Sequence, residues 1–281
     1  MKKITACIDG SALSTSVCDA AAWASKQLNV PLKLLHVLEK TNIPAREDFS
    51  GAIGLGSREH LLDELVELDA QRGKIALEHG KHMLEDAEAR VREHGVDQVE
   101  KQQRHGDLLE SLQDLQDENR IFVLGRLGEG HDLNSGAIGA HIERVVRGIQ
   151  TPLLLNIGEF SAPQNFMIAY DGSQTAQDAL KRFADSPLLK GIKGHIVMVG
   201  SDKEQATLDN AVDTLKQNGL DIEGHLLNGD VLDALDAFKQ NHKIELMVMG
   251  AYGHTRLREF FVGSNTSKMI ASSKIPLLVL R

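Results

Sequence analysis

A duplicated, doubly wound α/β architecture is what this sequence predicts, and three observations lead to it. The chain repeats itself, apolar runs alternate with amphipathic stretches along both copies, and 281 residues of which 42% are hydrophobic suffice for two cores. The repeat rests on four landmarks. Ile4-Thr5-Ala6-Cys7-Ile8-Asp9-Gly10-Ser11 recurs as Phe166-Met167-Ile168-Ala169-Tyr170-Asp171-Gly172-Ser173. Asp9 stands as far before Val37, in Leu34-Leu35-His36-Val37, as Asp171 stands before Val199, in Ile196-Val197-Met198-Val199. Gly106-Asp107-Leu108-Leu109 is answered by Gly229-Asp230-Val231-Leu232, and Thr151-Pro152-Leu153-Leu154-Leu155 by Ile275-Pro276-Leu277-Leu278-Val279. Four landmarks in one order mark a duplicated domain.

The predicted domains are 1–158 and 164–281, joined by a short connection that predicts close packing of the two. The first strand is predicted to begin almost at the N-terminus, so no signal peptide is expected. Most of the extra length of the first half falls at about 41–95. Pro44, Gly51, Gly54 and Gly56 predict a long loop there, and Ser57 is the expected N-cap of a helix running toward Glu93. Leu61, Leu62, Leu65 and Leu68 form its apolar stripe, while Gly73 and Gly80 weaken it and predict a bend or a break. In the second half, strands are predicted at 166–170, 195–199, 222–227, 245–249 and 276–280. Helices are predicted at 175–184, 203–218, 231–241 and 264–272. Several strands are nearly continuous apolar runs, as a parallel sheet covered on both faces requires. Crossovers through helices are right-handed, and ligands of such sheets sit at the carboxyl ends of the strands near the topological switch point.

The most informative local pattern lies near the end of the chain. Gly250-Ala251-Tyr252-Gly253 is followed by Gly263-Ser264, a G-x2-G-x9-G-[ST] string led by the strand-like run 246–249. Glycine lets backbone N–H groups approach an anion. A helix starting after Gly263 would aim its free N–H groups and positive dipole end at a phosphate, with the Ser264 hydroxyl as a further donor. Glycine spacing alone does not separate this from an ordinary strand-to-helix turn.

Taken together, the Asp-Gly-Ser strand end, the downstream Val, the Gly-Asp before a helix and the glycine string resemble the universal stress protein family in its tandem, two-domain form. The likeness covers nearly the whole chain apart from the first-half extension. It implies two Rossmann-like domains, each with a five-stranded parallel sheet of order 3-2-1-4-5, and ATP at the carboxyl edge in those members that bind nucleotide. Carried over by position, Asp171 matches the carboxylate near the adenosine, and Val199 matches the residue whose backbone pairs with adenine. Gly250, Gly253, Gly263 and Ser264 match the ribose and phosphate loop, with Asn265 the next free N–H at the helix start. The first half departs from the pattern. After Gly125-Arg126-Leu127-Gly128 the next aligned glycine, Gly139, comes one residue late, and Ala140 and His141 stand where Ser264 and Asn265 stand. Its site has been lost, takes another ligand, or binds nucleotide less tightly, so one functional site per chain, in the second half, is expected.

Other chemistries are poorly supported. A net charge of −9 without a strong basic run argues against nucleic-acid binding. No stretch is long and apolar enough to span a membrane. Cys7 and Cys18 are too few for a disulfide scaffold or a thiolate metal site and read as buried thiols of a cytoplasmic protein. His79 and His82 lack any accompanying metal motif and read as part of a charged surface helix. Arg256 and Arg258 either pair with phosphate or are solvated, and 51–56 reads as a lid or partner-contact loop. Neither G-x4-G-K-[ST] nor G-x-S-x-G occurs, and no catalytic set is apparent.

Three functions follow. The first is a cytoplasmic regulator that binds ATP or ADP, with or without Mg2+, and engages an unidentified regulatory protein through nucleotide-dependent shape or assembly. The second is a slow metal-dependent ATP hydrolase using Asp171. The third is a nucleotide-independent scaffold that binds an apolar ligand or a protein through the enlarged first domain. The apolar last strands of the two halves are candidate edges that pair with each other or across a homodimer.

Overall fold

The computed structural model describes residues 2–38, 55–126, 140–250 and 265–281. Along the first repeat these form β1 (Lys3–Cys7), α1 (Ser14–Leu28), β2 (Leu32–Leu38), α2 (Leu55–Glu93), β3 (Val99–His105), α3 (Leu108–Leu115), β4 (Asn119–Gly125), α4 (Ala140–Gly148) and β5 (Leu153–Asn156). The second repeat follows with β6 (Asn165–Ala169), α5 (Gln174–Ala184), β7 (Lys193–Val199), α6 (Gln205–Gln217), β8 (Ile222–Leu227), α7 (Val231–Asn241), β9 (Leu246–Gly250), α8 (Asn265–Ser272) and β10 (Leu277–Leu280).

Each repeat has the expected strand order, and the two orders are joined edge to edge in one ten-stranded sheet, β3-β2-β1-β4-β5-β10-β9-β6-β7-β8. Pairing is parallel within each repeat. At the junction β5 and β10 run antiparallel, with Leu153, Leu154 and Leu155 opposite Val279, Leu278 and Leu277. The terminal edges that the sequence offered to a homodimer are therefore consumed inside the chain, which satisfies their backbone groups without a second copy.

Strand alternation divides the core. Ile4, Ala6, Leu154 and Leu278 face one side and pack against α1, the C-terminal part of α2, α5 and α6. Phe122, Leu153, Leu155 and Leu277 face the other and pack against α3, α4, α7 and α8. The Gly-Asp landmarks prove to be helix starts. Gly106 and Gly229 have φ of +125° and +110°, and Asp107 and Asp230 accept hydrogen bonds from backbone N–H groups in the first turns of α3 and α7. Phe160, in the connection between repeats, packs on Trp23 of α1 at 5.7 Å between ring centroids. Cys18 is buried and Cys7 half-buried, both as free thiols. Burial, helped by the Asp19 carboxylate, pushes the Cys18 thiol up to about 12.

The first-half helix differs from its sequence expectation in two ways. It begins at Leu55, so Ser57 lies within it rather than capping it, and it continues unbroken for 39 residues, about 58 Å. Gly80 marks a close approach, since a Cβ there would overlap Gln103 and His36 on the sheet below. The C-terminal part of α2 covers the sheet as the much shorter α6 does in the second repeat. Its earlier turns carry Leu65, Val66, Leu68, Ile75 and Leu77 exposed, so the stripe is solvent-facing there.

One charged side chain ties the repeats together. Arg126, directly after β4, is only 5% exposed. Its Nη1 donates to the carbonyls of Ile270 (3.3 Å), Ala271 (2.8 Å) and Ser273 (2.7 Å), where α8 of the other repeat ends. A guanidinium suits that position because the last carbonyls of a helix lack partners and form its negative dipole end. Burial pulls this guanidinium below its ordinary value.

Two outcomes test the junction. Leu278→Ala removes a fully enclosed side chain from the seam and is expected to lower unfolding free energy by about 2–5 kcal/mol in urea titrations. Arg126→Ala is expected to cost roughly 2–3 kcal/mol, and to accelerate amide exchange selectively in the last turn of α8.

Candidate functional site

In the second repeat, β6 ends in a turn held by its own side chains. Asp171 Oδ1 accepts from the Ser173 N–H at 3.0 Å, and Ser173 Oγ accepts from the Ala176 N–H at 3.2 Å, capping α5. Gly172 has φ of +70°, and a Cβ there would come within 3.0 Å of Thr207 and 3.1 Å of Met198, so the turn requires glycine. The Asp171 carboxylate is exposed.

Val199 ends the neighbouring strand β7. The Tyr170 N–H bonds to the Val197 carbonyl, and the Gly200 N–H to Leu227 on β8. Alternation therefore points the N–H and C=O of Val199 toward β6, which has already turned away at Asp171. Among the described residues neither group has a hydrogen-bond partner. On the other side of β6, β9 ends at the exposed Gly250. The ends of β6 and β9 flank the switch point of this half of the sheet. The chain is described again from Asn265, the first residue of α8. The structure thus brings Asp171, Val199 and Gly250 to one carboxyl edge, while Gly253, Gly263, Ser264, Arg256 and Arg258 lie outside the described residues.

The first repeat builds the same turn with different partners. Asp9 Oδ1 accepts from the Ser11 N–H and from the Ser14 hydroxyl, both at 3.0 Å, and Ser14 Oγ accepts from the Gly10 N–H. The position of Ser14 is taken by Ala176 in the second repeat. Met83 of α2 lies over this turn, 2.6 Å from where a Gly10 Cβ would stand. Asp9 is half-buried and committed to two donors, whereas Asp171 presents an exposed carboxylate. The aligned Gly128 and Gly139 lie outside the described residues. Arg126, which stands in the glycine string of the first half, grips α8. The clue was a charged side chain where the other repeat has Ala251.

A second polar constellation, which the sequence reading missed, lies where β7, β8 and the end of α7 meet. His195, Glu223 and His225 share one face, since the parallel register sets His195 beside Glu223 and Val197 beside His225. Phe238 of α7 and His242, directly after it, close that face, their ring centroids 4.0 Å apart. Burial and the neighbouring imidazoles hold His195 below its ordinary value, and burial and His242 do the same for His225. A signal was available: Lys193-Gly194-His195 and Glu223-Gly224-His225 repeat a Gly-His pair on consecutive strands. By contrast, His79 and His82 are exposed on α2, as expected. A separate cavity of about 510 Å³ opens beside the junction of repeats. It is lined by Lys2, Arg120, Pro152, Arg182, Phe183 and Leu278, among others, and shares no residue with the Asp171 edge.

Comparison with known proteins agrees with this architecture. The family model described as "Universal stress protein family" matches residues 1–155 and 197–281. A universal stress protein of Synechocystis sp. is 33% identical over 287 residues, covering 100% of both chains. Among solved structures, a universal stress protein from Archaeoglobus fulgidus DSM 4304 superposes with a TM-score of 0.69 at 19% identity, over 98% of this chain and 97% of that one. A functionally unknown protein from Pseudomonas aeruginosa PAO1 superposes with a TM-score of 0.62 at 16% identity, over 100% of this chain and 92% of that one. The structural matches speak to the fold, and the family model and the full-length relative to descent. This chain belongs to the universal stress protein family, with two repeats of its domain on one polypeptide.

Proposed function

We propose that this protein is an ATP-binding stress-response regulator with one nucleotide site, at the carboxyl edge of the second repeat. The observation that carries the reading is Val199, whose outward backbone N–H and C=O form a donor–acceptor pair of the kind that reads an adenine edge. The exposed Asp171 carboxylate stands at the end of the adjoining strand, where it accepts from ribose hydroxyls. Gly250 opens the glycine string and α8 begins at Asn265, so Gly253, Gly263 and Ser264 belong to the segment that cradles phosphates at a helix N-terminus. Asp9 already holds two donors and Met83 covers its turn, which supports assigning the site to the second repeat alone. In this reading, occupancy changes the edge formed by β6, β9 and α8, and Arg126 conveys the change because it grips the other end of α8.

The test is to purify the full chain without added nucleotide, release what is bound by denaturation, and titrate the stripped protein with ATP, with and without Mg2+. About one ATP or ADP per chain is expected. Gly263→Val should abolish binding, and Ser264→Ala should weaken it by about tenfold or more, the effect of losing one hydrogen bond to a charged group. Two nucleotides per chain would overturn the single-site assignment. No binding under either condition would overturn the nucleotide reading.

A further inference from the structure

We infer that His195, Glu223 and His225 form a binding site for a divalent transition-metal ion of the zinc class, on the outer edge of the second repeat. His195 Nδ1 and His225 Nε2 are 3.0 Å apart, and Glu223 Oε2 is 3.8 Å from His195 Nδ1. One ligand atom from each of the three residues lies within 4.8 Å of the others. Two nitrogens bound to zinc at about 2.0–2.1 Å lie roughly 3 Å apart when they occupy neighbouring coordination positions. The imidazoles already stand near that spacing, and the carboxylate oxygen lies within 4.8 Å of both.

The surroundings favour ligation over simple packing. Glu223 does not hang free: Lys193 Nζ holds its other oxygen, Oε1, at 3.1 Å and so turns Oε2 toward the histidines. A cation bound to one carboxylate oxygen while the ligand is oriented through the other is the usual supporting arrangement of a metal site. His195 is buried, His225 half-buried and Glu223 exposed on the outermost strand, which supplies rigid inner ligands and an open path from solvent. His242 stands alongside, its ring centroid 5.1 Å from His195 and 5.6 Å from His225, and gives the cluster a third imidazole. Two nitrogens and one oxygen suit a borderline ion and disfavour calcium or magnesium, which require oxygen ligands.

Without an ion, the two imidazoles share one hydrogen bond. Ligation by both needs one ring to move its proton to its other nitrogen, with no net change in charge on the ligands. The ion then fastens the edge strand β8 to β7. The site faces α7 and lies about 13 Å along the strand from Val199, so it is independent of the proposed nucleotide edge.

The experiment is calorimetric titration of the chelator-treated, nucleotide-free full chain with Zn2+, alongside thermal melts with and without the ion. One Zn2+ per chain and a raised melting temperature are expected. Glu223→Gln, at an exposed position that leaves folding intact, should weaken Zn2+ binding by about tenfold or more. His225→Ala should remove the binding and the thermal shift, while His82→Ala, on α2, should change neither. Absence of Zn2+ binding by the parent chain, or unchanged affinity in both Glu223→Gln and His225→Ala, would overturn the assignment.

Discussion

Three residue pairs between β5 and β10, Leu153 with Val279, Leu154 with Leu278 and Leu155 with Leu277, hold the molecule in its observed form. Each repeat taken alone would end in an apolar strand with one row of backbone donors and acceptors unpaired, and such an edge invites association. Duplication supplies the complementary edge on the same polypeptide. The antiparallel seam leaves the two carboxyl edges at separate places, and it brings the loop after β4 against the end of α8. The contact of Arg126 with the carbonyls of Ile270, Ala271 and Ser273 exists only because the seam places these elements together.

Within that frame the copies have diverged at corresponding positions. Both retain the Asp-Gly-Ser turn, both have its glycine at a positive φ, and both place a valine at or next to the end of the second strand. The first copy adds the Ser14 hydroxyl to its carboxylate and lays Met83 of a greatly lengthened helix over the turn. The second leaves Asp171 exposed and keeps the whole glycine string. Retention of the turn in both copies reflects its structural work, since it organises the start of the following helix whatever the site above it holds.

Much of the backbone was legible because its signals are local. Apolar runs bounded by turns located the strands, and β8 and α7 fall at the expected limits. The Gly-Asp pairs marked helix starts through capping, which involves residues only a few positions apart. The glycines of α2 misled for the same reason. A helix propensity scale assigns Gly80 a cost, whereas the structure uses its missing side chain to seat the helix on Gln103 and His36. The stripe through Leu65 and Leu68 promised burial that the fold does not provide, since both side chains stand about half exposed among the described residues.

The site divides along the same line. Asp171, Val199 and Gly250 were named through the resemblance to the universal stress protein family, and a parallel sheet brings the ends of their strands to one edge. The union of His195, Glu223 and His225 depends on the register between β7 and β8, and a one-residue slip would turn His225 to the opposite face. Arg126 was equally hidden, since its partners lie more than a hundred residues away. Periodicity, capping and duplication reside in neighbouring residues and are written openly along the chain. Strand register, the meeting of the two edges and the burial of a single guanidinium are settled by packing between distant segments, where many pairings satisfy the same local pattern and only one fills the core.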